Sequence, residues 1–118
     1  MEQQTGGQLV QLSDDIHRDG YAGRAPRNLR PLVVEGDSMV PGLRPGDIVL
    51  VDYQCTRVRG DGLYIIRMSE AILIKQLQPL LASDGVRVTA WNKAYEPFTV
   101  PAEQLDIIGR VVWTCRHV

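Results

Sequence analysis

The chain has 118 residues, with 13 Lys and Arg against 14 Asp and Glu and a net charge of −1. This length and composition predict a single soluble domain, and the near-neutral charge excludes a broad basic surface for gripping nucleic acid. No apolar run reaches the roughly 18 residues of a membrane span, and residues 1–30 lack the pattern of a signal peptide. We therefore expect a cytoplasmic protein with no membrane partner.

Cysteine and histidine are too sparse for most metal or triad chemistry. Cys55 and Cys115 lie far apart and belong to no zinc-binding motif, so we expect reduced thiols. His17 and His117 lie near opposite ends of the chain, which argues against a histidine-based triad. The sequence predicts no metal, no cofactor, and catalysis without histidine if the chain is an enzyme.

The chain divides into an arm, residues 1–30, and a folded domain, residues 31–118. The arm is polar and rich in Gly, Gln, Asp and Arg, which predicts mobility. Connectors in the domain are too short for crossover helices, so we expect mainly β structure with antiparallel pairing and a compact, twisted, barrel-like or sandwich-like core. Seven short runs rich in β-branched residues are the predicted strands: 32–34, 48–51, 63–66, 72–74, 86–89, 98–100 and 107–113.

The first motif with chemical potential follows the first of these strands. Gly36, Asp37 and Ser38 stand shortly before Pro41, which predicts a bend that exposes the serine hydroxyl. Glycine allows backbone angles that let successive N–H groups converge, as an oxyanion site requires. Ser and Asp also cap turns for purely local reasons, so this motif alone leaves both interpretations open.

The second motif is Lys75, which shares one face of its predicted strand with Leu73 and Leu77. On an edge strand its stem would cover apolar surface and its ammonium would stay in water. If it is buried instead, its pKa falls and the neutral amine can act as a general base. A serine and a lysine together form a nucleophile and base pair that needs no histidine.

Together the two motifs resemble the LexA-like self-cleaving serine peptidases, as found in LexA, phage repressors and UmuD-type mutagenesis proteins. The resemblance covers residues 32–112 and implies the compact LexA/signal-peptidase fold with a Ser-Lys dyad. It assigns Ser38 as nucleophile, Lys75 as general base, and the backbone N–H groups of Asp37 and Ser38 as oxyanion donors. The matching blocks are residues 36–39 with Pro41, 46–52, 61–66, 74–77, 92–100 and 108–112.

The resemblance also implies cleavage of the chain's own N-terminal arm, stimulated by a RecA-nucleoprotein filament in the SOS response, and a homodimer. Such enzymes cut between Ala or Cys and Gly, which points to Ala22-Gly23, with Ala22 lying 16 residues before Ser38. Cleavage in trans, or at a site upstream of residue 1, are the competing interpretations.

The function predicted first is the C-terminal autoproteolytic and dimerisation domain of a LexA-like or prophage transcriptional repressor. Operator DNA would then be a partner only through an N-terminal helix-turn-helix domain that these residues do not contain. One alternative is a UmuD-type protein processed for translesion synthesis. Others are a non-enzymatic dimerisation module and, despite the lack of an anchor segment, a signal peptidase.

Four further residues and one segment have structural interpretations. Asp47 and Asp61 lie in turn contexts and are expected to cap them. Trp91 and Trp113 are expected to anchor the core or a dimer interface. Residues 105–113 form an apolar strand which, if left at a sheet edge, would pair with a second copy, and this predicts the homodimer.

Overall fold

The computed structural model describes residues 7–11, 29–37 and 39–117. Within these ranges the chain forms eight strands and one short 3₁₀ helix, Ala102–Gln104. No helix in the described part is long and apolar enough to cross a membrane. The strands are β1 (Gly7–Gln11), β2 (Leu29–Val33), β3 (Ile48–Asp52), β4 (Gly62–Met68), β5 (Ala71–Pro79), β6 (Gly85–Thr89), β7 (Phe98–Pro101) and β8 (Asp106–His117).

The strands form one sheet in the order β2-β3-β8-β4-β5-β6-β7, and β1 pairs with the C-terminal part of β8. All of these pairings are antiparallel. Tight turns make this possible: β4 and β5 are joined by Ser69 and Glu70 alone, which both adopt positive φ, as a two-residue hairpin requires. The prediction of a mainly β, antiparallel domain is confirmed, and the seven predicted strands correspond to β2–β8.

Apolar side chains cover both faces of the sheet. In β4, Leu63 and Ile65 belong to a first cluster, whereas Tyr64 and Ile66 belong to a second, because successive side chains of a strand point to opposite faces. The buried members of the first cluster are Val34, Met39, Leu43, Val49, Val51, Leu63, Ile65, Ile74 and Val111. Those of the second are Cys55, Tyr64, Ile66, Leu77, Val86, Val88 and Ile107.

The last strand, β8, lies in the middle of the sheet between β3 and β4. The backbone of β8 approaches β3 closely at Gly109. A Cβ atom at this position would lie 2.5 Å from Val51 Cγ1 and 2.9 Å from the Asp52 carbonyl oxygen. The predicted strand at 107–113 is confirmed. The edge position on which the sequence based a homodimer is wrong, because β8 has a paired strand on each side.

Two features near the N-terminus differ from the sequence prediction. β1 is a strand within the predicted arm, and β2 begins at Leu29, three residues before the predicted run. Propensity gave no sign of β1, since a five-residue strand with two glutamines and a glycine is specified by pairing with β8. The division of the chain at residue 31 stays a prediction.

Candidate active site

The chain bends sharply where β2 ends, and backbone hydrogen bonds fasten the bend to the turn before β3. The Val34 N–H donates to the Asp47 carbonyl at 2.7 Å, and the Val34 carbonyl accepts from the Gly46 N–H at 2.9 Å. Gly36 has a φ of 78°, a left-handed conformation that favours glycine. The glycine of the first motif is therefore explained by the bend.

The residues on either side of position 38 have opposite environments. Asp37 is exposed, whereas Met39 is buried in the first cluster at 2% exposure. Ser38, the predicted nucleophile, lies outside the described residues, as do Ala22 and Gly23 of the predicted cleavage site. The structure therefore defines where the chain enters and leaves position 38.

Asp37 is held by residues 91–97, which belong to the loop between β6 and β7. The Asn92 Nδ2 group donates to the Asp37 carbonyl at 2.9 Å, and the Tyr95 hydroxyl donates to Asp37 Oδ1 at 2.6 Å. The same Asp37 carbonyl accepts from the Val40 N–H at 3.1 Å. The hydrogen bond to Asp37, and then its negative charge, raise the pKa of Tyr95, so the hydroxyl stays a donor.

Met39 and its surroundings are tied to the same loop through Trp91. The Trp91 N–H lies 3.4 Å from Met39 Sδ, and the indole Nε1 donates to Gln76 Oε1 on β5 at 2.8 Å. A Cβ atom at Gly42 would overlap the Trp91 ring, so only glycine allows this packing. Trp91 packs against the first cluster, as the sequence predicts for a core anchor.

Lys75 lies on β5, an interior strand between β4 and β6, and its side chain is buried at 9% exposure. The edge-strand interpretation of Lys75 is therefore wrong, and of the two interpretations left open by the sequence the buried one agrees with the structure. Burial lowers the pKa of Lys75, because desolvation disfavours the ammonium form. Within the described part of the chain no carboxylate forms a salt bridge with Lys75 that would counteract this effect.

Tyr95 connects the two predicted halves of the site. The Lys75 Nζ atom lies over the Tyr95 ring, 5.2 Å from its centroid, while the Tyr95 hydroxyl is bonded to Asp37. One side chain thus contacts both the predicted base and the residue before Ser38. The arrangement brings Lys75 and the Asp37 turn to one place although the two residues are 38 positions apart in the chain.

An apolar groove of about 240 Å³ lies between the end of β2 and β5. Its lining residues are Leu32, Val33, Glu35, Ile72 and Ile74. Val33 and Ile72 are more than half exposed, so the groove presents aliphatic surface to the solvent. Such a groove can receive aliphatic side chains of an extended peptide.

The remaining residues singled out in the sequence have structural contacts. Asp47 Oδ2 accepts from the Arg44 N–H at 3.0 Å, which confirms a turn cap. The Asp61 carbonyl accepts from Arg110 at 3.0 Å. Cys55 is a free, buried thiol, and burial raises its pKa, so it is a poor nucleophile.

Sequence reasoning assigned no chemical role to Asn92 and Tyr95. Both belong to the block at 92–100 that carried part of the resemblance, yet their spacing from Asp37 in the chain is more than 50 residues. In the sequence, membership of this matching block is the one sign that the two residues matter for the site. The groove residues Val33 and Ile72 belong to predicted strands and have no other distinguishing pattern.

Comparisons with known proteins identify the family of this chain and several relatives. The profile of a family described as Peptidase S24-like matches residues 2–112. The 26 kDa repressor protein of Escherichia phage HK022 is 30% identical over 106 residues, which cover 87% of this chain and 44% of that protein. The LexA repressor of Geotalea uraniireducens is 36% identical over 90 residues, covering 74% and 43%. The LexA repressor of Alcanivorax borkumensis is 36% identical over 86 residues, covering 72% and 41%. The chain thus spans less than half the length of these curated relatives.

Proposed function

This chain belongs to the Peptidase S24-like family, and on that premise we propose that it is the self-cleaving domain of a LexA-like repressor, with Ser38 as nucleophile and Lys75 as general base. The relatives named phage repressor and LexA repressor support the repressor over the mutagenesis protein. Because those relatives are more than twice as long as the stretch matched, the action on DNA belongs to this proposal too.

One observation carries the proposal: Lys75 is buried at 9% exposure and faces the ring of Tyr95, which is hydrogen-bonded to Asp37, the neighbour of Ser38 in sequence. A lysine in a salt bridge would be held charged and could not accept a proton. Burial without such a partner in the described residues favours the neutral amine. This is the environment that a lysine base requires.

In the first half of the proposed reaction, the neutral Lys75 amine takes the proton from the Ser38 hydroxyl. The Ser38 oxygen attacks the scissile carbonyl carbon, and the carbonyl electron pair moves onto its oxygen. The backbone N–H groups of Asp37 and Ser38 stabilise that oxyanion. The Lys75 ammonium then donates its proton to the leaving Gly23 amine as the C–N bond breaks, so the domain gains a new amino terminus and the N-terminal fragment remains as an ester on Ser38.

In the second half, Lys75 is neutral again and takes a proton from water. The resulting hydroxide attacks the Ser38 ester, and the proton returns from Lys75 to the serine oxygen as the ester bond breaks. The products are a new carboxylate and a regenerated Ser38. No step uses histidine.

The groove between β2 and β5 is the proposed binding place for the segment that is cut. Ile74 lines the groove and directly precedes Lys75, and Val33 lies on the strand that leads to Asp37. The aliphatic lining fits the small apolar side chain of Ala22, directly before the proposed scissile bond. We keep Ala22-Gly23 as the proposed scissile bond.

Ala22-Gly23 can be cut within one molecule only if the chain between Gly23 and β2 is long enough to reach the site. At about 3.3 Å per residue, β2 carries the chain roughly 15 Å from Leu29 toward the Asp37 turn. The six residue steps from Gly23 to Leu29 span at most about 20 Å. The arm reaches the site only when nearly extended, so cutting of one copy by another is a competing route, and concentration dependence distinguishes them.

Partners form the last part of the proposal. A RecA-nucleoprotein filament would stimulate cleavage in the SOS response, a second copy would form a homodimer, and operator DNA would be bound through a helix-turn-helix domain. With β8 in the interior of the sheet, the homodimer needs a surface other than that strand.

The test is self-cleavage followed by intact mass, with and without RecA filaments on single-stranded DNA. Wild type should yield two fragments, the smaller ending at Ala22, whereas Ser38→Ala and Lys75→Ala should yield none. Lys93→Ala is the matched control, because it removes the other lysine of the chain from an exposed position. Fragments from the Ser38 or Lys75 variants would reject the dyad, and an uncut wild type under all conditions would reject the proposed function.

A further inference from the structure

Residues 91–97 form hydrogen bonds to two atoms of Asp37. Asn92 Nδ2 donates to its carbonyl oxygen at 2.9 Å, and the Tyr95 hydroxyl donates to its side-chain carboxylate at 2.6 Å. The loop is itself closed by bonds from the Ala94 and Tyr95 N–H groups to Asn92 at 2.9 and 3.1 Å. Two donors from one rigid loop fix both the position and the rotation of Asp37.

The carbonyl group that Asn92 holds belongs to the peptide unit joining Asp37 to the next residue. A peptide unit is planar, so fixing its oxygen also fixes the direction of the N–H on its other side. That N–H is one of the two proposed oxyanion donors. A hydrogen bond on the Asp37 carbonyl therefore bears on the orientation of the oxyanion site.

The ring of Tyr95 faces the other half of the site. Its centroid lies 5.2 Å from Lys75 Nζ, so the face of the ring lies against the side-chain nitrogen of the proposed base. Tyr95 is 43% exposed, so burial alone does not hold the ring in place. The bond from its hydroxyl to Asp37 is the contact that restrains it.

We propose that Tyr95 is a positioning residue, whose hydroxyl bond to Asp37 keeps the ring against Lys75 and aligns the nucleophile turn with the base. Asn92 supports it by holding the Asp37 carbonyl from the same loop. The expected effect on the self-cleavage rate rests on the proposed Ser-Lys chemistry. The tether between Tyr95 and Asp37 can be tested without cleavage.

The first test is a double-mutant cycle on the rate of self-cleavage. Tyr95→Phe should lower the rate about tenfold, as the loss of one charge-assisted hydrogen bond implies. In an Asp37→Ala background the same change should have no further effect, because its acceptor is gone. Glu96→Gln, in the same loop, is the control and should cleave as wild type. Independent, multiplying effects of Tyr95→Phe and Asp37→Ala would overturn the inference.

The second test reports the tether directly and uses the cleavage-inactive Ser38→Ala protein. The chain has two lysines, Lys75 and Lys93. Lysine labelled at the ε carbon therefore gives two ε-methylene NMR signals, one for each residue. The ring above Lys75 should shift its ε-methylene signal upfield of that of Lys93. Tyr95→Leu should abolish the shift, and Tyr95→Phe and Asp37→Ala should reduce it by releasing the ring.

An upfield shift that survives unchanged in Tyr95→Phe and Asp37→Ala would overturn the tether. A wild type that never cleaves would reject the proposed function, and the NMR result would then decide the inference by itself. Unfolding midpoints of all variants should match that of the Ser38→Ala parent. A large drop in Tyr95→Phe would assign the hydroxyl a role in stability and contradict the positioning role.

Discussion

Lys75 and Tyr64 stand directly opposite each other across the β4–β5 pairing. Tyr64 has no solvent exposure and Lys75 has 9%, so the lysine is paired in the sheet with one of the most deeply buried aromatic residues that the structure describes. The Tyr64 hydroxyl donates to the Gly60 carbonyl and accepts from the Arg59 N–H, both at 2.9 Å. The hydroxyl of Tyr64 is thus fully hydrogen-bonded to the backbone of residues 59 and 60. Lys75 is paired with this buried residue, and its burial affects the stability of the fold.

We predict that Lys75→Met does not destabilise the protein at neutral pH, although it abolishes cleavage. Protonated Lys75 carries a desolvation cost in the folded state, since its pKa lies below the ordinary 10.5. Replacing it with an apolar side chain of similar shape should raise the free energy of unfolding by ~1 kcal/mol.

The same comparison has a pH signature. Between the lowered pKa of folded Lys75 and 10.5, the unfolded chain binds more protons than the folded one, so stability from this group rises with pH. The advantage of Lys75→Met should therefore shrink as the solution becomes alkaline. Urea unfolding in the Ser38→Ala background measures it, and a Met variant that is clearly less stable at neutral pH would contradict the prediction.

We predict that self-cleavage accelerates as pH rises and reaches half of its maximal rate below pH 10.5, the ordinary pKa of lysine. The reason is that only neutral Lys75 can accept the Ser38 proton, and burial makes that form available at lower pH. First-order rates over a neutral-to-alkaline series give the midpoint. Lys93→Ala should share it, and a rate that is independent of pH would exclude a lysine base.

Gly109→Ala should destabilise the fold by about 2–3 kcal/mol, because the new methyl group would meet the Asp52 carbonyl oxygen at 2.9 Å and Val51 at 2.5 Å. Backbone on the paired strand cannot move aside without loosening β3 from β8. Thermal unfolding measures the loss. Gly85→Ala is the matched control: its nearest contacts are side-chain atoms at 3.2 Å or more, and it should cost clearly less.

Asp47→Ala should lower the free energy of unfolding by about 1–2 kcal/mol, because it removes the buried acceptor of the Arg44 N–H. Asp47→Asn keeps an amide oxygen at the same place and should recover most of the loss. Both variants should cleave at the wild-type rate per folded molecule. A cleavage defect in the well-folded Asn variant would give Asp47 a chemical role.

The sequence predicts most of the sheet because its strands are short, apolar and separated by strong turn signals. Lys75 is a good example: its place between Leu73 and Leu77 is compatible with a solvated and with a buried lysine, and in the structure Leu77 belongs to the second cluster with Leu73 packed against it. What decided between a solvated and a buried lysine was strand order. That order depends on pairings of β5 with β4 and β6, which local patterns do not encode.

Contacts between distant loops were beyond sequence reasoning for the same reason. Tyr95 and Asp37 are hydrogen-bonded across 58 positions, and Trp91 reaches Met39 across 52. Nothing in the composition of residues 91–97 points to position 37. The central place of β8 was missed because its apolar character fits both an edge that seeks a partner and an interior strand.

The central place of β8 also governs when the site can form during synthesis. Both β3 and β4 are made long before β8, yet each is joined to the other only through it. A nascent chain that has passed Lys75 still lacks the strand that closes the sheet, and pairings between segments so distant in sequence fold slowly. The residues before β2 therefore leave the ribosome well before the sheet around Lys75 is complete, and the dyad proposed above could assemble only after β8 has been made.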